Sequence, residues 1–165
     1  MLSGHEARSL CVRHFAANGS IEEGSFFLQI CWDIAMTTVL IVEDDPMNFR
    51  VFSKILTKRA GFTVKGTEDV AEVLQLAKDK LVDVILMDVS LCRSHYQGQA
   101  YNGIQITQLL KQDPNTAGVP VILVTAHAMA GDRERLLTES GAEGYIAKPV
   151  VDHGEFVNQV NSLVG

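Results

Sequence analysis

Four apolar runs, each cut off by a polar residue, constrain this chain more than any other feature. The segment Thr38-Val39-Leu40-Ile41-Val42 ends at Glu43, Asp44 and Asp45, and residues 82–87 (VDVILM) end at Asp88. Pro120-Val121-Ile122-Leu123-Val124 ends at Thr125, and Gly144-Tyr145-Ile146-Ala147 ends at Lys148. Strands that stay apolar instead of alternating are buried on both faces, as in parallel sheets covered by helices above and below.

The text between these runs has a helical period. Pro46 suits a first helical turn, where its missing N–H costs nothing, and Met47, Val51, Ile55 and Leu56 recur at helical spacing up to Gly61. Residues 62–65 predict a short strand. Val70, Val73, Leu74 and Ala77 predict a helix that starts near Glu68 or Asp69, and Asp45 and Asp69 read as helix caps. A third helix carries Ile104, Ile106, Leu109 and Leu110 and stops at Pro114; a fourth runs from about Ala128 or Met129 to Ser140, before Gly141. Phe156, Val157, Val160 and Leu163 give the last helix its apolar face. Residues 90–102 lack an apolar period and read as a long loop. Five strands alternating with five helices are the pattern of a doubly wound α/β domain on a parallel sheet.

Ligand chemistry in such sheets sits at the carboxyl ends of the strands, where Glu43, Asp44, Asp88, Thr125 and Lys148 fall. Three carboxylates within a few ångström repel one another and take up protons or a cation in response. Mg²⁺, or Mn²⁺ in its place, suits Glu43, Asp44 and Asp88 together with the backbone carbonyl of Ser90. Reading Asp88 as a plain helix cap fails, because a carboxylate closing VDVILM lies against apolar walls and needs a partner to stay charged. With the ion bound, Asp88 can act as a nucleophile toward a phosphoryl donor and become an acyl phosphate. Lys148 can pair with Asp88 at rest and with phosphoryl oxygens afterwards, and Thr125 can donate its hydroxyl to one of them. An inward move of Thr125 vacates volume into which the Tyr145 ring can turn; the plain alternative is a half-buried rim aromatic.

Net charge −6, from 20 acidic against 14 basic residues, argues against a nonspecific nucleic-acid binder, which needs a concentrated positive surface. No apolar run approaches the roughly 18 to 20 residues of a membrane span, and the N-terminal residues lack the continuous apolar region of a secretory signal. Cysteines at 11, 31 and 92 have neither metal-site spacing nor an even count, which suits a reducing, cytoplasmic address. Residues 1–35 do not join the strand-helix pattern. They read as an N-terminal extension, flexible or docked through Phe26, Phe27, Leu28, Ile30, Trp32 and Ile34, with Met36 as an alternative start and residues 36–165 as the domain.

The motifs VLIVEDDP, VILMDVS, PVILVTA and GYIAKP, in that order, resemble the response-regulator receiver domain (CheY-like) of bacterial two-component signalling. The resemblance spans residues 38–164 and is strongest toward short, stand-alone receivers of cell-cycle and phosphorelay systems. It implies a flavodoxin-like sheet of order 2-1-3-4-5 with five helices. It makes Glu43 and Asp44 the metal-binding pair, Asp88 the phosphoacceptor and Ser90 the donor of a main-chain oxygen to the metal. Thr125 becomes the hydroxyl switch, Tyr145 the aromatic switch, and Lys148 the functional lysine, with a cis bond to Pro149. The family further implies phosphorylation by a histidine kinase or histidine phosphotransfer protein, slow self-dephosphorylation without conventional turnover, and protein-protein signalling to a downstream effector. The signalling face is that of the fourth helix, fifth strand and fifth helix, and phosphorylation can bring a homodimer.

Two departures stand out. Receivers typically read D-x-x-L-P-x-x-x-G from the acceptor, whereas here Leu91 is followed by Cys92, and the loop RSHYQGQAYN delays Gly103 by about seven residues. That insertion can hinder a histidine-donor domain, slow water attack, offer a partner-specific surface or be a tolerated surface feature. His95, Tyr96 and Tyr101 are its residues to test. Second, no helix-turn-helix follows Gly165, so output is expected through another molecule, with Ala128, Met129 and Ala130 as a contact surface. Two further classes compete: a receiver-like scaffold without phosphoryl turnover, and a metal-dependent phosphohydrolase. The hydrolase wants an acid two residues after the nucleophile, where Ser90 stands.

Overall fold

The structure, a computed structural model, describes residues 36–126 and 131–164. The expected extension over residues 1–35 and the contact residues Ala128, Met129 and Ala130 lie outside the described residues. β1 (Thr38–Val42) leads through Asp45 into α1 (Pro46–Ala60), then β2 (Thr63–Thr67), α2 (Val70–Lys78) and β3 (Val84–Asp88). A small hairpin, β4 (His95–Tyr96) and β5 (Gln99–Ala100), precedes α3 (Gly103–Gln112), and β6 (Val121–Thr125), α4 (Asp132–Ser140), β7 (Gly144–Ala147) and α5 (His153–Leu163) complete the order.

All strand pairs of the main sheet are parallel, in the order β2-β1-β3-β6-β7. Counting sheet strands alone, that is the expected 2-1-3-4-5. β3 and β6 are buried at every position, as their unbroken apolar text requires. Val39, Ile41, Val84, Leu86, Ile122 and Val124 meet Phe52, Ile55 and Leu56 of α1 and Phe156, Val157 and Val160 of α5 on one face. Leu40, Val42, Ile85, Met87 and Leu123 meet Val70 and Val73 of α2, Ile106 and Leu110 of α3 and Leu136 of α4 on the other. Each of these helices hides an apolar stripe that would otherwise face water, at about 25 cal/mol per Å².

Helix ends follow local chemistry. Asp45 accepts from the Met47 N–H, Asp69 from those of Ala71 and Glu72, and Asp152 from those of Gly154 and Glu155. Asn102 and Gln105 form a reciprocal capping box on α3. Gly61 and Gly141 take the left-handed conformation that closes α1 and α4.

Several expectations need correction. On α1, Met47 and Val51 are 63% and 46% exposed, and Phe52 takes the buried position between the expected ones. Phe62 lies ahead of β2, which instead runs on to Gly66 and Thr67 in register with Ile41 and Val42. The central strand begins at Val84 rather than at residue 82, because the Asp83 carboxylate is turned back to the Thr38 N–H at 2.7 Å. Residues 90–102 are not a structureless loop: they contain the hairpin, turned by Gln97 and Gly98, both at positive φ.

Candidate functional site

The parallel register gathers the polar strand ends on one rim. Val42 lies opposite Met87, Asp88 opposite Val124, and Thr125 opposite Ala147, so Glu43, Asp88, Thr125 and Lys148 converge from four strand ends. Carboxylate oxygens of Glu43, Asp44 and Asp88 lie within 4.8 Å of one another. Lys148 Nζ donates to Glu43 Oε2 at 2.6 Å and stands 3.1 Å from Asp88 Oδ1. The side chains of Glu43 and Asp88 are only 2% and 6% exposed, so these charges act through a weakly screened medium.

Three carboxylates against one ammonium leave the rim negative. Burial pushes the Glu43 carboxyl above the usual carboxylate range; the Lys148 hydrogen bond pulls it back and the charge of Asp88 pushes it further up. Glu43 is also fixed by the Asp45 N–H at 3.2 Å and the Asn48 amide at 3.5 Å. A hard divalent cation fits this donor set. Mg²⁺ takes oxygen ligands at about 2.0 to 2.1 Å, so carboxylate oxygens that already lie within 4.8 Å of one another suit a single ion. Glu43, Asp44 and Asp88 are the side chains that would hold the ion.

Around them, the Ser90 N–H donates to Asp88 Oδ1 at 3.3 Å, and the Cys92 N–H to Asp44 Oδ2 at 3.1 Å. The Ser90 carbonyl accepts from Cys92 Sγ at 3.2 Å. Thr125 is buried at the end of β6, and its carbonyl accepts the Lys148 N–H at 2.7 Å. Tyr145 on β7 is half-buried against the α2–α4 side of the core, and burial raises its hydroxyl pKa, with help from the charge of Asp132. The Lys148–Pro149 bond is cis.

Two features escaped the sequence reading. The Lys148–Glu43 pair joins residues 105 apart and has no local signature. Arg93, in the insertion, reaches a cleft of about 290 Å³ that it lines with Glu43, Asp44, Phe49, Thr67 and Glu68. His95 is exposed, with Nδ1 against the Arg93 carbonyl at 2.8 Å, while Tyr96 and Tyr101 pack edge to face at 6.1 Å over the core.

A sheet of this order with an acidic trio and a lysine on its carboxyl rim defines a class, and comparison with known proteins agrees. Residues 39–161 match the response regulator receiver domain, and the chain belongs to that family. Among its relatives is the polar-differentiation response regulator DivK of Brucella anthropi, 35% identical over 128 residues that cover 78% of this chain and 96% of the relative; DivK of Brucella ovis matches equally. The receiver domain of sensor histidine kinase PA1611 from Pseudomonas aeruginosa, whose active site cleft coordinates magnesium, superposes with TM-score 0.65 at 30% identity, covering 79% of this chain and 99% of that one. A putative response regulator from Chloroflexus aurantiacus gives TM-score 0.66 at 27% identity over 78% and 98%. The chain is thus a phosphorylation-switched receiver domain similar to the DivK regulators, with a carboxylate cluster suited to a divalent ion. No helix among the described residues is long and apolar enough to cross a membrane.

Proposed function

We propose that Asp88 is the phosphoacceptor, served by Glu43, Asp44, the Ser90 carbonyl, Thr125 and Lys148, and that the donor is a histidine kinase or a histidine phosphotransfer protein in the cytoplasm. The observation that carries this reading is the convergence of three carboxylates within 4.8 Å with one ammonium bridging two of them. An Asp88 carboxylate oxygen forms the new O–P bond while the P–N bond of the donor phosphohistidine breaks, and its electron pair stays on the imidazole nitrogen. Bound Mg²⁺ supplies neutralisation of the carboxylates and of the phosphoryl oxygens.

Lys148 bridges Glu43 and Asp88 at rest and offsets their mutual repulsion, and its ammonium is in reach of a phosphoryl group placed on Asp88. The Thr125 hydroxyl binds another phosphoryl oxygen, and Tyr145 reports that movement on the α4–β7–α5 face. A downstream effector, or a second copy of the chain, reads that face. Incubation with Mg²⁺ and a small acyl phosphate, followed by intact mass, tests the assignment. One added, base-labile phosphoryl group that disappears in Asp88→Asn supports it. No gain even with a cognate kinase favours a partner-binding scaffold, and continuous phosphate release at high turnover favours a phosphohydrolase.

A further inference from the structure

Lys148 pairs with Glu43 and Asp88; Asp44 is held differently. The Cys92 N–H donates to Asp44 Oδ2 at 3.1 Å, across 48 residues of sequence. The Cys92 thiol also points at the Ser90 carbonyl at 3.2 Å, though a thiol is a weak donor and the amide is the stronger link. Cys92 occupies the position at which the receiver pattern D-x-x-L-P has proline, and proline has no N–H to give. The link to Asp44 therefore depends on this chain's departure from the pattern.

The insertion keeps Cys92 in place. On one side Leu91 is buried in the core. On the other, Ser94 is 1% exposed and donates its hydroxyl to the Glu68 carbonyl at 2.9 Å, just ahead of α2. The Ser94 carbonyl accepts from the Tyr101 N–H at 2.8 Å, closing the base of the hairpin. Residue 92 is clamped between two anchors and presents its amide to a carboxylate at the rim.

We propose that Cys92 is a positioning residue for the metal site and the insertion its brace: the Cys92 amide holds one oxygen of Asp44 so that the other faces the ion. This rests on the assignment of Glu43, Asp44 and Asp88 to Mg²⁺. Asp44 is partly exposed, and without the amide its rotamers must be ordered at the expense of binding. Hydrogen bonds to metal-ligating groups are worth about 10- to 100-fold in metal affinity.

The test is Mg²⁺ titration followed by NMR on isotope-labelled wild type, Cys92→Ala and Cys92→Pro. Cys92→Ala keeps the amide and binds Mg²⁺ close to wild type; Cys92→Pro removes it and binds about tenfold or more weakly. Equal affinity in wild type and Cys92→Pro overturns the inference and leaves the metal assignment standing, whereas no Mg²⁺ binding by wild type overturns both. A loss in Cys92→Ala as large as in Cys92→Pro overturns the role of the amide. Ser94→Ala, which loosens the brace and touches no ligand, also weakens Mg²⁺ binding; unchanged affinity there overturns the role of the insertion. Should Cys92→Pro misfold, coupling across the hydrogen bond between the Cys92 amide nitrogen and the Asp44 carboxyl carbon is read in wild type. Its presence supports the link and its absence overturns it.

Discussion

Gly103, the first residue of α3, lies directly against the main chain of Asp88. A Cβ at Gly103 would overlap the Asp88 carbonyl oxygen and crowd Met87 Cγ at 3.0 Å, and the Gly103 N–H donates to the Val89 carbonyl at 3.3 Å. The bare glycine lets the helix start dock onto the strand that carries Asp88, the proposed acceptor.

Gly103→Ala therefore forces backbone apart, not a flexible side-chain tip, and is expected to cost about 1 to 3 kcal/mol of stability. Because the displaced carbonyl belongs to Asp88, phosphoryl uptake falls as well. Gly118→Ala, where an added Cβ meets nothing within 4 Å, serves as the control and leaves both unchanged. Denaturant melts and the phosphorylation assay on the two variants read this difference.

Lys148→Met removes the ammonium between Glu43 and Asp88, whose side chains are nearly buried. Leaving the two carboxylates unpaired is expected to destabilise the metal-free protein by up to about 3 kcal/mol. Mg²⁺ then restores more stability to the variant than to wild type, since the ion replaces a lost positive charge. Thermal melts with and without Mg²⁺ give the comparison; an equal Mg²⁺ increment in both proteins contradicts it.

Mg²⁺ binds the folded rim and not the unfolded chain, so at about 100 times its Kd it adds about 2.7 kcal/mol to stability. A chelator reverses the gain. Asp44→Asn and Asp88→Asn each remove one carboxylate charge from the trio and shrink the increment. Urea titrations of the three proteins at fixed Mg²⁺ measure it.

The α5 cap gives a pH signature. The Glu155 and Gly154 N–H groups hold the Asp152 carboxyl below its ordinary value of 3.8. A depressed carboxylate pKa contributes stability that is present above the unfolded value and lost as pH falls through the folded one. Asp152→Asn retains an acceptor oxygen but not the charge. The stability gap between wild type and Asp152→Asn is expected to be open above about pH 4 and to close below it. Melts from acid to neutral pH follow the gap.

The central strands were legible because double-sided burial leaves only apolar text, as in β3 and β6. The rim acids were legible for the complementary reason: a charge at the end of such a run has to meet something. β2 was misplaced by its neighbours. Phe62 supplies the apolar signal yet precedes the strand, whereas Gly66, which disfavours strands, interrupts the signal before Thr67, and both are held by pairing with Ile41 and Val42. The hairpin was missed because Gln97-Gly98 is a weak version of the Asn-Gly signal for a two-residue turn, Gln being uncommon at positive φ. The Cys92–Asp44 link was invisible in principle, since a main-chain donor looks alike at every residue except proline.

The outer strand β2 has consequences for self-association. Its lysine, Lys65, its glycine, Gly66, and its five-residue length make a poor template for a further strand. Growth of the sheet from one molecule into the next is disfavoured along that margin; the sheet's other margin is β7, which belongs to the face proposed for signalling.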